Sequence, residues 1–350
     1  MSETVAPPAA PRAGWVKRLY RWLYWLPRDW CSYLHSGRPR LLIYFGGRGF
    51  GDDLLLGTVM HELRVRRLGR LALVSRLEDL FFHSPAIDHF VKDNWRTLAA
   101  VHRFGGQVIK PIYYLRYEPP DYDVPATVHI ITMMCRTAGI RGRVALRTYL
   151  SLTSDERARG RLFANQAVIQ CTGAESLNFS PLKHWFTERY QEIVDKLRGR
   201  VQFVQLGSAN DPPLQGAIDL RGKTGVRESA AILAQSRVCI TYVGFLMHLA
   251  RAVDTRSVII FGGRERPDQS GYICNENLYT NLPCSPCWLR SQCLQNRECM
   301  DQITSDVVVA AVERVLAKGD LPLETAYENT PEQLQEFPLP WIGKYPLPVR

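Results

Sequence analysis

Residues 41–53 read L-L-I-Y-F-G-G-R-G-F-G-D-D and are followed by a long apolar run. Leu41–Phe45 predicts a buried β-strand, the glycines predict a loop, and the run from Leu54 to about Leu68 predicts a helix. A second strand is predicted at Leu71–Val74. The order strand, loop, helix, strand is the one with which a doubly wound parallel sheet begins.

The alternation of strands and helices starts again in the second half of the chain. Strands are predicted at Ala167–Cys171, Val201–Leu206, Val238–Tyr242 and Ser257–Phe261, with helices at Phe186–Leu197, Glu228–Ala234 and Leu246–Val253. Two consecutive α/β halves predict two Rossmann-like domains, at residues 41–160 and 161–318, that face each other across a cleft. Residues 319–350 are predicted to form a C-terminal tail.

The segment before the first strand divides into a leader and a helix. Residues 1–14 are rich in Pro and Ala, are predicted to be disordered, and lack the basic-then-apolar order of a signal peptide. Residues 15–40 are predicted to hold an amphipathic helix whose Trp and Leu residues form one stripe beside Lys and Arg. Such a helix suits the headgroup layer of an anionic bilayer, so residues 15–30 are predicted to touch the inner face of the cytoplasmic membrane. The alternative is that the helix packs against the body of the protein.

Four cysteines lie close together near the C-terminus, at Cys284, Cys287, Cys293 and Cys299. Four thiolates at this spacing can ligate a tetrahedral metal, either Zn or Fe, and the alternative is a loop of reduced thiols. The run 284–299 falls between the last predicted strand and a predicted helix at Ile303–Leu316, so it reads as a structural staple or an oligomer-forming loop. The other five cysteines are scattered, which argues against a secreted disulfide framework and favours the cytoplasm.

The distribution of charge bears on whether the cysteine run binds nucleic acid. The formal net charge is +10, and residues 1–50 carry eight Lys and Arg against two acidic residues. The cysteine run itself contributes only Arg290 and Arg297 against Glu298. A nucleic-acid-binding zinc module is expected to carry its own basic surface, so we expect no nucleic-acid partner.

The glycine-rich loop after the first strand is the first candidate site. Its spacing G-x-G-x-G does not match the dinucleotide fingerprint, so the indication of NAD binding is weak. Asp52 and Asp53 follow at the carboxyl end of the strand, where α/β folds place their ligands. A carboxylate there can act as a general base, although both residues could instead cap the next helix.

Two cationic or titratable residues in the second half are further candidates. Lys183 comes just before a predicted helix and could neutralise a diphosphate, although it could also be an ordinary solvated lysine. His248 lies in the first turn of an apolar helix, whose N-terminus favours a phosphate. A histidine on an apolar helix can equally be a core residue.

The order of motifs along residues 41–318 resembles glycosyltransferase family 9, the ADP-heptose-dependent heptosyltransferases. The motifs that carry the resemblance are G-F-G-D-D-L-L-L-G-T, T-G-A, K-H-W-F, L-M-H-L-A-R-A-V, F-G-G-R-E-R-P and C-S-P-C with its two further cysteines. The resemblance implies a GT-B fold, inversion at the anomeric carbon, an ADP-heptose donor bound by the second domain, and no catalytic metal. The acceptor implied is a glycan, lipid-linked or protein hydroxyl bound by the first domain.

The resemblance also assigns roles to individual positions. Asp52 matches the candidate base, with Gly49, Gly51 and Asp53 expected to contact the acceptor. The positions expected to contact the donor are Thr172, Gly173, Lys183, Asp211, Gly244, Leu246, Met247 and His248. Some relatives in the family carry an iron at such a cysteine-rich run, and others carry the cysteines without metal.

One departure from the family pattern leaves an alternative open. The family usually has an Asp-(Ser/Thr)-Gly triplet before L-x-H, whereas this chain reads Val243-Gly244-Phe245. The missing aspartate and the added aromatic ring bear on the identity of the donor sugar. They also leave open a degenerate member that binds a nucleotide-sugar or a partner without turnover.

Overall fold

The computed structural model of the chain describes residues 14–44, 49–66, 69–75, 77–91, 95–113, 128–172 and 180–328. Nearly all of the predicted leader and most of the predicted C-terminal tail lie outside the described residues.

The N-terminal half contains a small parallel sheet with helices packed around it. Its elements in chain order are α1 (Gly14–His35), β1 (Leu41–Tyr44), α2 (Phe50–Val65), β2 (Leu71–Val74), a single 3-10 turn (Glu78–Phe81), β3 (His89–Val91), α3 (Trp95–Arg103), β4 (Gln107–Ile109), α4 (Ile130–Thr137), β5 (Val144–Ala145) and α5 (Ser154–Arg159). Among the described residues the strand order is β3-β2-β1-β4, and every pair is parallel. The predicted opening of a doubly wound sheet is confirmed.

The C-terminal half is built on a larger parallel sheet. Its elements are β6 (Gln166–Ile169), a 3-10 turn (Pro181–Lys183), α6 (Thr187–Lys196), β7 (Gln202–Gln205), β8 (Ile218–Asp219), α7 (Val226–Ala234), β9 (Val238–Tyr242), α8 (Phe245–Ala252), β10 (Ser257–Gly262), α9 (Pro267–Ser270), β11 (Glu276–Tyr279), α10 (Glu298–Asp301), α11 (Ser305–Lys318) and β12 (Tyr327–Glu328). The strand order is β11-β10-β9-β6-β7-β8. The order in which the chain adds strands therefore switches sides at β6, with β7 and β8 on one side of it and β9, β10 and β11 on the other. Strand β12 pairs with β5 of the first half. In open α/β sheets, ligands bind outside the carboxyl ends of the strands at such a reversal.

One predicted boundary near the candidate base is wrong. The helix expected from Leu54 begins at Phe50, so Asp52 and Asp53 lie inside its first turn. The N-cap residue is Gly49, and no side chain caps the helix. The alternative that both aspartates serve as capping residues is therefore not realised, because their carboxylates accept hydrogen bonds from Tyr113 and Ser75 instead.

The two halves share one continuous apolar core. Buried residues of α2 and α4 pack in the same cluster as buried residues of α7 and α8. Arg227 on α7 fastens the halves together, because it pairs with Glu156 at 2.6 Å and donates to the carbonyl of Asp79 at 2.9 Å. The two halves are thus joined both by apolar packing and by the contacts of Arg227.

Helix α1 begins at Gly14 and ends at His35, before the predicted limit at residue 40, and its C-terminal end packs against the body of the protein. Asp29 forms an ion pair with Arg103 of α3, and the rings of Trp30 and Tyr33 contact Phe104. Leu23, from the predicted apolar stripe, is 56% exposed. The packing alternative therefore holds for the end of the helix, whereas Leu23 faces outward. Within the described ranges, none of the helices combines the length and apolar character that a membrane span requires.

Candidate active site

The candidate site lies where the N-terminus of α2 meets the reversal point of the larger sheet. Thr172 follows β6, and Gly244 follows the neighbouring strand β9. Helix α8 begins at Phe245 and packs against α2, so that a Cβ placed on Gly51 would lie 3.3 Å from the His248 ring. Parallel pairing of β6 and β9 accounts for this arrangement, because it brings their carboxyl ends to one edge of the sheet.

Asp52 is a partly buried carboxylate on the side of the first domain. The hydroxyl of Tyr113 donates a hydrogen bond to its Oδ1 at 2.8 Å. Burial raises the pKa of Asp52, while the Tyr113 hydrogen bond and the positive charge of Lys183 offset part of that rise. A carboxylate with a raised pKa beside an opposing cation is suited to accept a proton.

Asp53 faces away from Asp52 and into its own domain. It is buried, and its Oδ1 accepts a hydrogen bond of 3.1 Å from Ser75. Gly49 and Gly51 lie at the start of α2 beside Asp52, with Gly51 packed closely against α8. Of the three residues predicted to contact the acceptor, the two glycines lie beside the candidate base, and the Asp53 side chain supports the fold.

Lys183 reaches the site from the second domain and is held by a buried carboxylate. Its Nζ lies 2.7 Å from Oε1 of Glu265, which follows β10. Burial by itself would raise the pKa of Glu265, but Lys183 and Arg264 outweigh it and hold that pKa at about 2. Lys183 therefore is not a solvated surface lysine, and its positive charge is felt by both Glu265 and Asp52.

The predicted donor-binding turn after β6 is only partly described. Thr172 Oγ1 lies 3.0 Å from Nδ1 of His184, the residue after Lys183, while Gly173 lies outside the described residues. Burial, followed by the charges of Arg297 and Lys183, lowers the pKa of His184 to about 4. Thr172 and Lys183 thus lie on neighbouring segments.

Asp211 is placed differently from the other predicted donor contacts. Its side chain is 1% exposed, and Oδ2 accepts a hydrogen bond from the Ser208 backbone at 3.0 Å. The same oxygen fills the space where a Cβ on Gly207 would lie, so this turn requires glycine there. The Asp211 carboxylate therefore braces the turn after β7.

His248 is a buried and neutral residue at the junction of the domains. Its Nδ1 lies 2.6 Å from the Tyr272 hydroxyl, and its carbonyl accepts a bond from Thr148. Burial, with the neighbouring His129, lowers its pKa to about 3. Its neutral ring and its contacts within the protein match the core alternative more closely than direct binding of a phosphate.

The start of α8 carries the residues that depart from the family pattern. Leu246 and Met247 are buried in the apolar core, so any contact of theirs with a donor is left to the backbone. Gly244 lies against the Tyr242 ring. The ring of Phe245 packs on Phe50 of α2, with centroids 5.5 Å apart, so the added aromatic residue bridges the two domains.

Three of the four clustered cysteines lie on a loop of the second domain, and Cys299 lies in the short helix α10. Cys284 is exposed and the other three are partly buried. Burial raises the pKa of Cys287 and Cys299, and the neighbouring thiols raise both further. Across the described ranges, however, no three His, Cys, Asp or Glu side chains are placed as metal ligands, so the predicted metal site is not confirmed.

Three residues of the site went unrecognised in the sequence. Tyr113 and Tyr272 carry no local signal, because each reaches its partner from a distant part of the chain. Glu265 lies within the motif F-G-G-R-E-R-P, and a charged residue directly after a buried strand was a signal that could have identified it.

Comparison with known proteins identifies the fold. A glycosyl transferase family 9 protein from Veillonella parvula aligns with a TM-score of 0.58 and 14% identity over 80% of this chain and 97% of its own. The iron-containing dodecameric glycosyltransferase TibC from enterotoxigenic E. coli aligns with a TM-score of 0.64 and 18% identity over 79% of this chain and 76% of its own. E. coli ADP-heptose lps heptosyltransferase II aligns with a TM-score of 0.58 and 14% identity over 79% of this chain and 98% of its own.

Sequence matches cover part of the chain. Residues 145–297 match the model of glycosyltransferase family 9 (heptosyltransferase). Lipooligosaccharide heptosyltransferase 2 of Haemophilus influenzae is 29% identical over 106 residues, which is 26% of this chain and 30% of that enzyme. The match thus spans less than a third of the length of this curated relative.

The chain has the GT-B fold of two Rossmann-like domains that is found in a large class of glycosyltransferases. Within that class, the predicted resemblance to glycosyltransferase family 9 is confirmed, with the family model matched over residues 145–297. The shared fold and the family match over residues 145–297 support the prediction of a glycosyltransferase.

Proposed function

We propose that this protein is an inverting glycosyltransferase that transfers a heptose from ADP-heptose to an acceptor hydroxyl, with Asp52 as the general base. The observation that carries the proposal is the opposition of Asp52 and Lys183 across the junction of the domains, close enough for the lysine to lower the pKa of the aspartate. The relatives named for heptosyl transfer support the choice of donor.

The chemistry needs a base on one side of the anomeric carbon and a cation on the other. Asp52 takes the proton of the acceptor hydroxyl as its oxygen attacks the anomeric carbon, and the bond from that carbon to the diphosphate oxygen breaks. ADP leaves with the bonding electrons, and Lys183 stabilises the negative charge that develops on the diphosphate. In this mechanism no metal takes part in the reaction, so activity should survive treatment with EDTA.

Substitution of the candidate base tests this proposal most directly. Asp52→Asn removes the proton acceptor with little change of shape, and we expect transfer to fall by at least about 100-fold. ADP affinity, measured by calorimetry, should be retained because Asp52 does not contact the diphosphate. Products formed from ADP-heptose and candidate acceptors would be identified by mass spectrometry. Wild-type turnover in Asp52→Asn would remove Asp52 as the base.

The contact between Phe50 and Phe245 favours a second candidate function. The aromatic pair lies next to Asp52, at the position where the family has a glycine that allows close approach to the donor. A protein that binds a nucleotide-sugar or a partner without turnover would account for this substitution. Nucleotide binding by the wild-type protein, with neither hydrolysis nor transfer of the donor, would favour this candidate.

The proposed function also includes contact of residues 15–30 with a membrane surface. An acceptor glycan, lipid-linked or on a protein, would be met at the inner face of the cytoplasmic membrane through residues 15–30. Support comes from the outward-facing Leu23 and Tyr24, with Arg28 stacked on the Tyr24 ring at 4.0 Å. Sedimentation with anionic phospholipid vesicles tests this contact, and neutral vesicles are the control. If the protein sediments with neither kind of vesicle, this contact is contradicted.

A structural Zn or Fe at the four cysteines is also part of the proposal. TibC is described as iron-containing and dodecameric, and its fold is shared by this chain. Metal analysis of anaerobically purified protein tests the site, and light scattering tests whether the protein is an oligomer. Less than a tenth of an equivalent of Zn and Fe would rule out the metal.

A further inference from the structure

A buried carboxylate holds the lysine of the candidate donor site. Glu265 is 4% exposed, and its Oε1 lies 2.7 Å from Lys183 Nζ and 3.2 Å from Arg264 Nη1. Its second oxygen, Oε2, accepts a hydrogen bond of 2.8 Å from Ser270. Both oxygens are therefore engaged, and the position of the carboxylate is fixed from three directions.

Arg264 connects this carboxylate to the cysteine-rich loop. It is 4% exposed, its Nε donates to the carbonyl of Leu289 at 2.7 Å, and its guanidinium lies 5.4 Å from the centroid of the Trp288 ring. The backbone N–H of Trp288 in turn bonds to the Arg264 carbonyl at 3.0 Å. A chain of polar contacts thus runs from the loop through Arg264 and Glu265 to Lys183.

The same loop also holds the segment on which Lys183 lies. Ser180, three residues before it, donates to the carbonyl of Arg290 at 2.7 Å. Arg297 donates to the carbonyl of His184, directly after Lys183. The lysine is therefore constrained both at its backbone and at its ammonium group.

We propose that Glu265 is a positioning residue that holds the Lys183 ammonium where it meets the diphosphate of the donor. This inference rests on the proposed function and adds a residue to it. An ammonium group has three N–H donors, and the bond to Glu265 uses one of them. The Lys183 side chain remains 26% exposed, so part of it stays open to the site. Arg264 also pairs with Glu265 and shares in compensating its charge.

This role differs from simple competition between Glu265 and the diphosphate for one cation. If Glu265 positions the lysine, its removal lets the long Lys183 side chain sample other rotamers, and binding weakens. If Glu265 competes, its removal frees the cation, and binding becomes tighter. If Glu265 only stabilises the fold, its removal acts in the same way whether or not Lys183 is present.

A double-mutant cycle on ADP binding separates these cases. Calorimetry would be run on the wild type, Glu265→Gln, Lys183→Ala and the double variant. We expect Glu265→Gln to weaken the affinity for ADP by about 10-fold when Lys183 is present, and by less than about 2-fold in the Lys183→Ala background. Asp268→Asn is the matched control, because its ion pair with Arg266 is exposed and lies in the same segment. Tighter binding by Glu265→Gln, or an equal loss in both backgrounds, would overturn the proposal.

A second measurement does not depend on nucleotide binding. The rate at which Lys183 is acetylated by an N-hydroxysuccinimide ester, followed by mass spectrometry, should rise several-fold in Glu265→Gln, because its ammonium group is no longer ion-paired. The rate at Lys196 should stay the same. If the wild type does not bind ADP, the proposed function fails, and the acetylation rate still tests the pairing. Should Glu265→Gln not fold, Glu265→Asp keeps the charge but shortens its reach, and it should also speed acetylation of Lys183. An unchanged rate would refute the proposal.

Discussion

Tyr113 donates a hydrogen bond of 2.8 Å from its hydroxyl group to Oδ1 of Asp52. The two residues lie far apart in the sequence, on a loop after β4 and in the first turn of α2. The bond stabilises the ionised form of the carboxylate, and it therefore opposes the rise in pKa that burial causes. It also restrains the orientation of the carboxylate.

Removal of this hydrogen bond should shift the pH dependence of transfer. In Tyr113→Phe the pKa of Asp52 rises further, so the carboxylate loses its charge at a higher pH. The acidic limb of the pH–rate profile should therefore shift to higher pH by about one unit, and the rate at alkaline pH should change less. Tyr24→Phe on the exposed face of α1 is the control. An acidic limb that stays in place would mean that Asp52 is not the group that titrates.

Loss of the Lys183 charge should affect both the donor and the base. We expect Lys183→Ala to weaken ADP binding by roughly 10- to 100-fold, because a charge-assisted contact with the diphosphate is lost. The acidic limb should also move to higher pH, since Lys183 lowers the pKa of Asp52. Lys196→Ala is the control, because that lysine pairs with the exposed Asp306. Unchanged calorimetric affinity for ADP would contradict the assigned role.

The ion pair between Arg227 and Glu156 should contribute to stability between the domains. Its two parallel contacts of 2.6 Å hold the pKa of Glu156 at about 2. Arg227→Ala should lower the free energy of unfolding by about 1–3 kcal/mol. Because the folded pKa is lowered, the stabilisation is present above the unfolded value near 4.5 and is lost as pH falls toward about 2.

A chemical denaturation series measured against pH checks this prediction. The difference between the wild type and Arg227→Ala should be constant at neutral pH and should shrink below about pH 4.5. Arg200→Ala breaks an exposed ion pair with Glu313 and should change the free energy of unfolding only slightly. A pH-independent difference would show that the carbonyl contacts of Arg227 carry the effect.

His248 should make the folded protein sensitive to mild acid. Its pKa is lowered to about 3, below the ordinary value of 6.5, because the folded state buries the neutral ring. The unfolded chain therefore binds a proton that the folded chain does not, and stability falls as pH drops from 6.5 toward 3. His248→Gln should reduce this slope, as followed by thermal unfolding at several pH values. His102→Gln, on α3, should leave the slope unchanged.

Much of the fold could be predicted from the sequence because its strands are short apolar runs set between glycines and helices. The bounds of β2 and β9 were predicted to the residue, since a strand buried on both faces reads as a continuous apolar run. β4, β8 and β11 were not predicted. They are short edge strands with mixed or exposed residues, and their pairing depends on the neighbouring strand rather than on their own composition.

For the candidate site, the sequence alone determined which residues are candidates: the order of motifs predicted the family, Asp52 was chosen because it follows the first strand, and Lys183 because it comes just before a helix. Only the tertiary structure decided how each side chain is used. It separated Asp52 from its neighbour Asp53, because successive residues of a helix point in different directions. It also placed Tyr113 on Asp52 and Glu265 on Lys183, since contacts between distant segments arise only when the two sheets and their helices pack together.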